Sequence, residues 1–537
     1  MKKILYIFFT GLLLAACTDL TELNTDPVNS TDMTPHLLMP GIQLGQSQGY
    51  YQVRSYIDYP GGIVNLWTGK EEVAAFGGVG VKNAIVMEQP WNYTYKTLAL
   101  PAVLMEERTK DDPQEINLHS AATILKVEVF LRLTDWFGDI PYSEACRYYQ
   151  DNSLIKPKYD KQEDIYKSFL KELRTAVGAF DPSKPAPQYD LYFNGDIARW
   201  KKFGASLWLR IAMRLVKVAP ELAKAEAKAA YEAGILESNA DICMVKHEDD
   251  RTQNGTGNAY ANFLYDHPEG SEFRMTEEIV QALNNDPRLY FIGGFYTLND
   301  RLDVTTEVAA ALKAYGGTLG IPAHNLYQYA GLMDTYLPIN GKDVMIHKVI
   351  QSLQPSVLIT NPASPWIHLS YAETQFFLAE AAVRGWGIGK ESAEQYYARG
   401  LEAAIRQWSL FGAKLPDDEH MQQFLAYSTS LMGSTPTSKL EEINKQLWIL
   451  YVLDPMEAWS NVRRTGMPSA YVKYFAGGSI PDYRAMNESD FKRPIRMCYP
   501  LNEQTYNGDH LKEAIDRMGG TDDWTAPVWW DNGEYLK

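Results

Sequence analysis

Trp200-Lys-Lys-Phe203-Gly204-Ala-Ser-Leu207-Trp-Leu-Arg-Ile211-Ala-Met-Arg-Leu215 is the stretch that decides the fold. Trp200, Phe203, Gly204, Leu207, Ile211 and Leu215 return every three or four residues, which places them on one face of an α-helix. Leu118, Ala121, Ala122, Leu125, Val129, Leu133 and Trp136 repeat the pattern. Ile165, Phe169, Leu173 and Val177 keep strict i+4 spacing, and Tyr397, Gly400, Leu401, Ala404 and Trp408 follow suit. Helix is the dominant signal of the chain.

These helices come in pairs. Residues 197–218 precede Pro220, which suits the first turn of a second helix that stops at Gly234. Helices over 369–384 and 391–408 are joined by Gly385-Trp386-Gly387-Ile388-Gly389. Trp200-x-x-Phe203-Gly204-x-x-Leu207 resembles the first helix of a tetratricopeptide unit, whose glycine lets the paired helix approach closely. The helices are longer than that repeat's and no regular period is visible. The expected fold is therefore mainly α: tetratricopeptide-like helical hairpins forming a scaffold that carries long irregular binding loops. Those loops are residues 181–196, 249–272 and 315–366, longer than compact domains usually tolerate without a role. No Gly- or Ser-rich linker divides the chain, so residues 36–537 read as one body.

The N-terminus reads as a secretory signal over residues 1–16: Lys2 and Lys3, an apolar run from Ile4 to Leu14, and Leu14-Ala15-Ala16 before Cys17. Eleven residues span about 16 Å of helix, roughly half a bilayer core. The arrangement resembles a bacterial lipobox, which implies that Cys17 is lipidated and starts the mature protein. Residues 17–35 are polar and turn-rich, a tether into the body.

The formal charge is −16, and more negative once Lys2 and Lys3 leave with the signal. That sign disfavours nucleic acid and anionic headgroups, so membrane attachment falls to acyl chains on Cys17. Cys146, Cys243 and Cys498 are too far apart to suggest a metal site or a disulfide framework.

Further segments carry a resemblance from end to end. They begin with Cys17-Thr-Asp19-Leu-Thr-Glu22-Leu-Asn-Thr-Asp26-Pro27, Trp91-x-x-x-Tyr95 and Asp135-Trp136-Phe-Gly138-Asp139-Ile-Pro141-Tyr-Ser-Glu-Ala145. Asn194-Gly-Asp196, Trp200-Lys-Lys-Phe203, Ser206-Leu207-x-x-Arg210 and Asn285-Asp286-Pro287-Arg288-Leu289 follow. Ala379-Glu380-Ala-Ala382, Arg384-Gly-Trp386, Glu457-Ala-Trp459-x-x-x-Arg463-Arg464-Thr-Gly466-x-Pro468, Arg496-x-x-Tyr499-Pro500-x-x-Glu503 and Asn507 complete the set. In this order they resemble the SusD/RagB family of nutrient-binding outer-membrane lipoproteins, in particular its SusD-like subgroup. Met456 and Ala205 depart from the family's glycine and asparagine. The resemblance implies a tetratricopeptide-like lipoprotein, anchored in the outer membrane and facing the exterior. It implies a lid over a SusC-like TonB-dependent β-barrel transporter that captures oligosaccharide, or in some branches oligopeptide. Asp19 and Glu22 resemble the family's export tags. No cofactor and no catalytic residue are implied.

The motifs agree with binding rather than chemistry. Asp135 and Asp139 look like an acid/base pair, but Gly138 ends a helix and Pro141 blocks its return, so both are expected to satisfy backbone donors in a turn. Arg463, Arg464 and the Asp286–Arg288 turn are expected to pair within the fold. Gly387-Ile-Gly389-Lys390 lacks a phosphate loop's first glycine, and His247-Glu248 has Arg251 where a zinc helix needs histidine. Thirty-four tyrosines and thirteen tryptophans suit stacking on sugar rings. Trp136, Trp200, Trp208, Trp408, Trp448 and Trp459 lie on helical faces and read as core. Loop positions leave Trp67, Asn65, Tyr50, Tyr51, Tyr260 and Tyr265 as ligand-binding candidates, with Asn254 and Asn258 beside them. Trp67 leads, because Gly61-Gly62 and Gly69 suggest a mobile loop around it. The tail tryptophans Trp524, Trp529 and Trp530 are expected on the body or on the transporter. The rival readings are a surface glycoside hydrolase, whose two carboxylates no motif would reveal, and an adhesive lipoprotein without a small ligand.

Overall fold

A computed structural model describes residues 34–69, 74–78, 80, 82–253, 255–265, 273–296, 301–303, 335–339, 342–346, 353–472 and 494–531. Cys17, the signal segment, most of the tether and Asn254 lie outside the described residues.

The helices that build the body are α1 (Met39–Gln48), α2 (Tyr50–Tyr56), α3 (Ala84–Tyr93), α4 (Leu100–Thr109), α5 (Ile116–Phe137), α6 (Gln162–Ala179), α7 (Ile197–Arg214) and α8 (Pro220–Gly234). They continue with α9 (Ala259–Tyr265), α10 (Tyr371–Val383), α11 (Ala393–Arg406), α12 (Asp418–Ser430), α13 (Pro436–Leu450) and α14 (Pro455–Thr465). Successive helices α4 to α8 pack each on the next, α10 packs on α11 and α13, and α7 meets α10 across the middle. This is the paired-helix scaffold that the apolar periodicity predicts. Among the described residues no helix is long and apolar enough to cross a membrane.

Local chemistry sets the helix ends. Asp196 caps α7 by accepting the Arg199 N–H at 3.1 Å, and Ser392 with Gln395 forms a reciprocal capping box on α11. Pro220 opens α8, and Gly234 ends it in the left-handed region at φ +97°. Two helical glycines set the packing distances. A Cβ on Gly204 would stand 2.7 Å from Ile124 Cδ1 and 2.8 Å from Val177 Cγ2. At Gly204 the closest approaches to α7 thus come from α5 and α6, rather than from its hairpin partner α8 as the tetratricopeptide comparison suggests. Gly400 on α11 does serve its own hairpin, since its Cβ would lie 2.9 Å from the Phe376 ring on α10.

The buried apolar residues form one cluster from Met39 to Trp530. All six tryptophans expected in the core are buried there. The tail packs on the body: Trp530 is fully buried and its indole N–H donates to Asp135 at 2.8 Å.

Threaded through this core is a lattice of buried charges. Arg210 on α7 forks onto Glu373 of α10 at 2.6 and 2.8 Å. Arg214 bonds Glu457 of α14 at 2.6 Å and lies 3.2 Å from Asp135 of α5. Arg464 of α14 forks onto Glu380 of α10 at 2.7 and 2.8 Å, and Arg132 of α5 pairs with Asp454. Four helices are thereby tied by bidentate pairs that orient them as well as attract them. Arg463 donates to the Ile495 carbonyl at 2.9 Å, and Arg288 pairs with Asp286 at 2.6 Å, both inside the fold.

The short strands are β1 (Trp67–Gly69), β2 (Cys243–Val245), β3 (Phe273–Met275), β4 (Gly293–Tyr296), β5 (Arg301–Asp303), β6 (Thr335–Ile339), β7 (Lys342–Ile346), β8 (Gln354–Pro355) and β9 (Trp366–Leu369). All observed pairings are antiparallel: β1 with β3, β2 with β9, β4 with both β5 and β8, and β6 with β7. Several of them, together with α9, fall in stretches whose sequence reads as irregular. Runs of two to five residues are too short to show a period.

Candidate ligand-binding site

The sequence candidates gather where α2, β1 and α9 meet. Trp67 pairs with Met275 and Gly69 with Phe273. Gly69 and Phe273 therefore stand side by side. On this foundation the candidates divide into an interior group and a surface group.

Trp67, Asn65 and Tyr260 belong to the interior. Trp67 is fully buried in β1, not carried on a mobile loop. Its indole N–H donates to the Tyr260 hydroxyl at 2.9 Å, which in turn donates to the Val452 carbonyl at 2.6 Å. The neighbouring glycines make room for the ring rather than freedom for it: a Cβ on Gly61 would lie 3.2 Å from Trp67 Cδ1. Burial pushes the Tyr260 phenol well above its ordinary range. Tyr260 lies in α9, not in a loop. Asn65 holds a tight turn at φ +57°, donating its side-chain amide to the Tyr471 carbonyl at 3.0 Å. Its own carbonyl accepts from Thr276 Oγ1. Asn258 is buried too, and its Oδ1 accepts the Tyr260 N–H at 2.9 Å at the start of α9.

Tyr50, Tyr51 and Tyr265 form the surface group. Tyr51 is 47% exposed and Tyr265 39%. Tyr50, on α2, stands edge-on to Tyr51 at 5.5 Å and to Phe263 of α9 at 5.3 Å, linking the exposed ring to the core. The Arg251 guanidinium lies 3.5 Å from the centre of the Tyr265 ring and also donates to the Thr360 carbonyl at 3.2 Å.

A locked loop completes this surface. Asp250 accepts from Thr252 Oγ1 at 2.7 Å, from the Thr252 N–H at 2.8 Å and from the Thr256 N–H at 2.9 Å. These bonds, the Thr252 hydroxyl foremost, hold its carboxyl down at about 2. Gln48 at the end of α1 donates to the Gly255 carbonyl at 2.8 Å, which seats the loop against the α1–α2 junction beside Tyr51. Burial lowers the His247 imidazole pKa, and its Nε2 lies 3.0 Å from Ser47 Oγ. The sequence did not point to Arg251 or Gln48, because their partners Tyr265 and Gly255 follow no helical or strand spacing.

The Asp135–Asp139 segment is structural. Asp139 does satisfy a backbone donor, but at the start of α6 rather than in its own turn: it accepts the Gln162 N–H at 2.8 Å and pairs with Arg517 at 2.7 Å. Asp135 differs from expectation. It is buried at the charge lattice, accepting from Tyr166 and Trp530 rather than from turn amides. Burial raises its pKa despite Arg214 nearby. Among the described residues no group of histidine, cysteine, aspartate and glutamate could hold a metal ion.

The described residues thus combine a paired-helix scaffold with exposed tyrosine rings beside hydrogen-bonding side chains. The SusD-like family model, described as starch-binding and associating with the outer membrane, matches residues 81–500. The chain belongs to that family. Among solved structures it is similar to a chitin-binding protein at 31% identity and TM-score 0.76, covering 93% of this chain and 99% of that one. A Bacteroidetes protein described as AC2a SusD-like matches at 30% identity and TM-score 0.80, covering 93% and 100%. A chitin-binding SusD homologue from Flavobacterium johnsoniae shares the fold at 21% identity and TM-score 0.64, covering 91% and 98%. No curated protein matches the chain.

Proposed function

We propose that this protein is a non-enzymatic, cell-surface nutrient-binding lipoprotein. It is anchored in the outer membrane through acyl chains on Cys17 and hands an oligosaccharide to a SusC-like TonB-dependent β-barrel. The observation that carries the glycan reading is the relative described as chitin-binding, 31% identical over 93% of this chain. The exposed rings of Tyr51 and Tyr265 support it, since flat apolar faces stack on sugar rings while Arg251 and Gln48 supply polar rims. Residues 36–537 act as one body and residues 17–35 as its tether.

Calorimetric titration of the mature protein with chito-oligosaccharides, malto-oligosaccharides and mixed oligopeptides tests this reading. A chito-oligosaccharide is expected to bind and to be recovered uncleaved. Binding of peptides alone would move the cargo to the oligopeptide alternative, and turnover of a glycan would make the protein a hydrolase. Replacing Cys17 by alanine should release the protein from the membrane, and co-purification with a large β-barrel from detergent extracts should accompany the wild type alone.

A further inference from the structure

We infer that the scaffold holds an ordered water molecule between His368 and Gln407, at the point where β9, α7, α10 and the N-terminal cap of α14 converge. The two residues line a cavity with Arg210, Ser370, Glu373 and Asp454. It leaves about 20 Å³ for a water-sized guest, enough for one water and far too little for a sugar ring. Two polar atoms of these residues, His368 Nε2 and Gln407 Oε1, are buried without a hydrogen-bond partner. Their residues are 1% and 2% exposed. Buried polar atoms in native proteins are nearly always partnered, by protein or by water.

The chemistry of the wall selects the guest. His368 Nδ1 lies 2.8 Å from Glu128 Oε1; in the tautomer whose Nδ1 proton faces that carboxylate, Nε2 is an acceptor. Gln407 Oε1 is an acceptor as well. One water carries two O–H donors, one for each atom, and its lone pairs remain for the Arg210 guanidinium. The charged members of the wall are already matched: Arg210 forks onto Glu373, and Asp454 is taken by Arg132. A neutral guest therefore fits better than an ion. Through this water the hairpin of α7 is joined to β9 and to the turn that follows α11.

A crystal structure of the mature protein, at a resolution that shows ordered solvent, tests the inference. Density for one water within hydrogen-bonding distance of both atoms is the expected result. Gln407→Leu should remove that density and lower the thermal midpoint by a few degrees, while Gln407→Glu, which keeps an acceptor, should retain it. Ligand affinity should be unchanged in both. No density between the two atoms, with each bonded to a protein group instead, would overturn the inference; so would an anomalous peak at this position after a bromide soak. Should Gln407→Leu fail to fold, the wild-type density alone decides.

Discussion

The junction of α5, α7, α10 and α14 and the junction of α2, β1 and α9 are both densely packed, but different chemistry holds them. In the first, five arginines and their carboxylates are buried together, each guanidinium aimed at a partner on another helix or at a backbone carbonyl. In the second, aromatic rings meet edge to face and the polar contacts are single bonds such as Trp67 to Tyr260. The contrast assigns each junction a task. A lattice of forked pairs fixes the angles between helices and does not tolerate the loss of one member. An aromatic junction gets its strength from area and can present spare rings at the surface.

The largest expected effect tests the lattice. Arg464→Ala leaves Glu380 buried between α10 and α14 with only Arg384, which is 29% exposed, as its cation. Breaking a buried pair by removing one partner costs about 3–5 kcal/mol, to be read by urea denaturation. The double replacement Arg464→Met with Glu380→Met should recover most of that loss. A single variant that loses less than about 1 kcal/mol, the range of exposed pairs, would erase the distinction between the two junctions.

Acid should reach the lattice next. Burial pushes the Glu380 carboxyl up, but the Arg464 and Arg384 guanidiniums outweigh it and hold it at about 2, against 4.5 ordinarily. Its contribution is therefore present above pH 4.5 and fades as pH falls toward 2, on the order of 3 kcal/mol in all. Asp531 has the opposite sign. Burial raises it to about 6 from 3.8, so its contribution is complete below 3.8 and lost as pH rises through 6. Glu380→Gln should flatten the acid limb of the stability profile, and Asp531→Asn the segment between pH 4 and 6. A pH-independent difference between wild type and Glu380→Gln would show that the carboxylate is not held as described.

Gly204→Ala should cost about 1–3 kcal/mol, the range for overpacking a core, because the new Cβ would crowd Ile124 and Val177. A neutral result would mean that α7 can move away from α5 and α6 freely, which the lattice argues against.

How much of this was legible follows from the range of each interaction along the chain. The helix of Trp200, Phe203 and Leu207 is written in neighbouring residues, and so is the stop at Gly234, left-handed in the structure. The roles of Arg463 and Arg464 could be read, but not their partners: Glu380 lies 84 positions from Arg464 and shares no periodicity with it. The β1–β3 pair joins residues 67–69 to residues 273–275, and three-residue strands leave no alternation to detect. Trp67 was misplaced for a physical reason. Glycines around an aromatic ring look the same in sequence whether they permit motion or permit close packing, and only the 3.2 Å approach at Gly61 distinguishes the two.

The smallest change in stability is expected at the aromatic junction, and there it separates from function. Trp67→Phe keeps a ring in β1 but removes the indole donor to Tyr260, a loss of about 1–2 kcal/mol for a buried hydroxyl that gives up one bond. Its effect on glycan affinity should be slight, because the ring does not reach the surface. Tyr51→Ala should do the reverse. An exposed side chain at an unstrained helical position changes stability by less than about 0.5 kcal/mol. Loss of one stacking face weakens sugar binding by about 0.5–1.5 kcal/mol, several-fold in affinity. Paired melting and calorimetry on the two variants should therefore fall on opposite axes. If Trp67→Phe weakens binding more than Tyr51→Ala does, the recognition surface lies on the β1 side of this junction rather than on α2, and the division between buried and presented rings has to be redrawn.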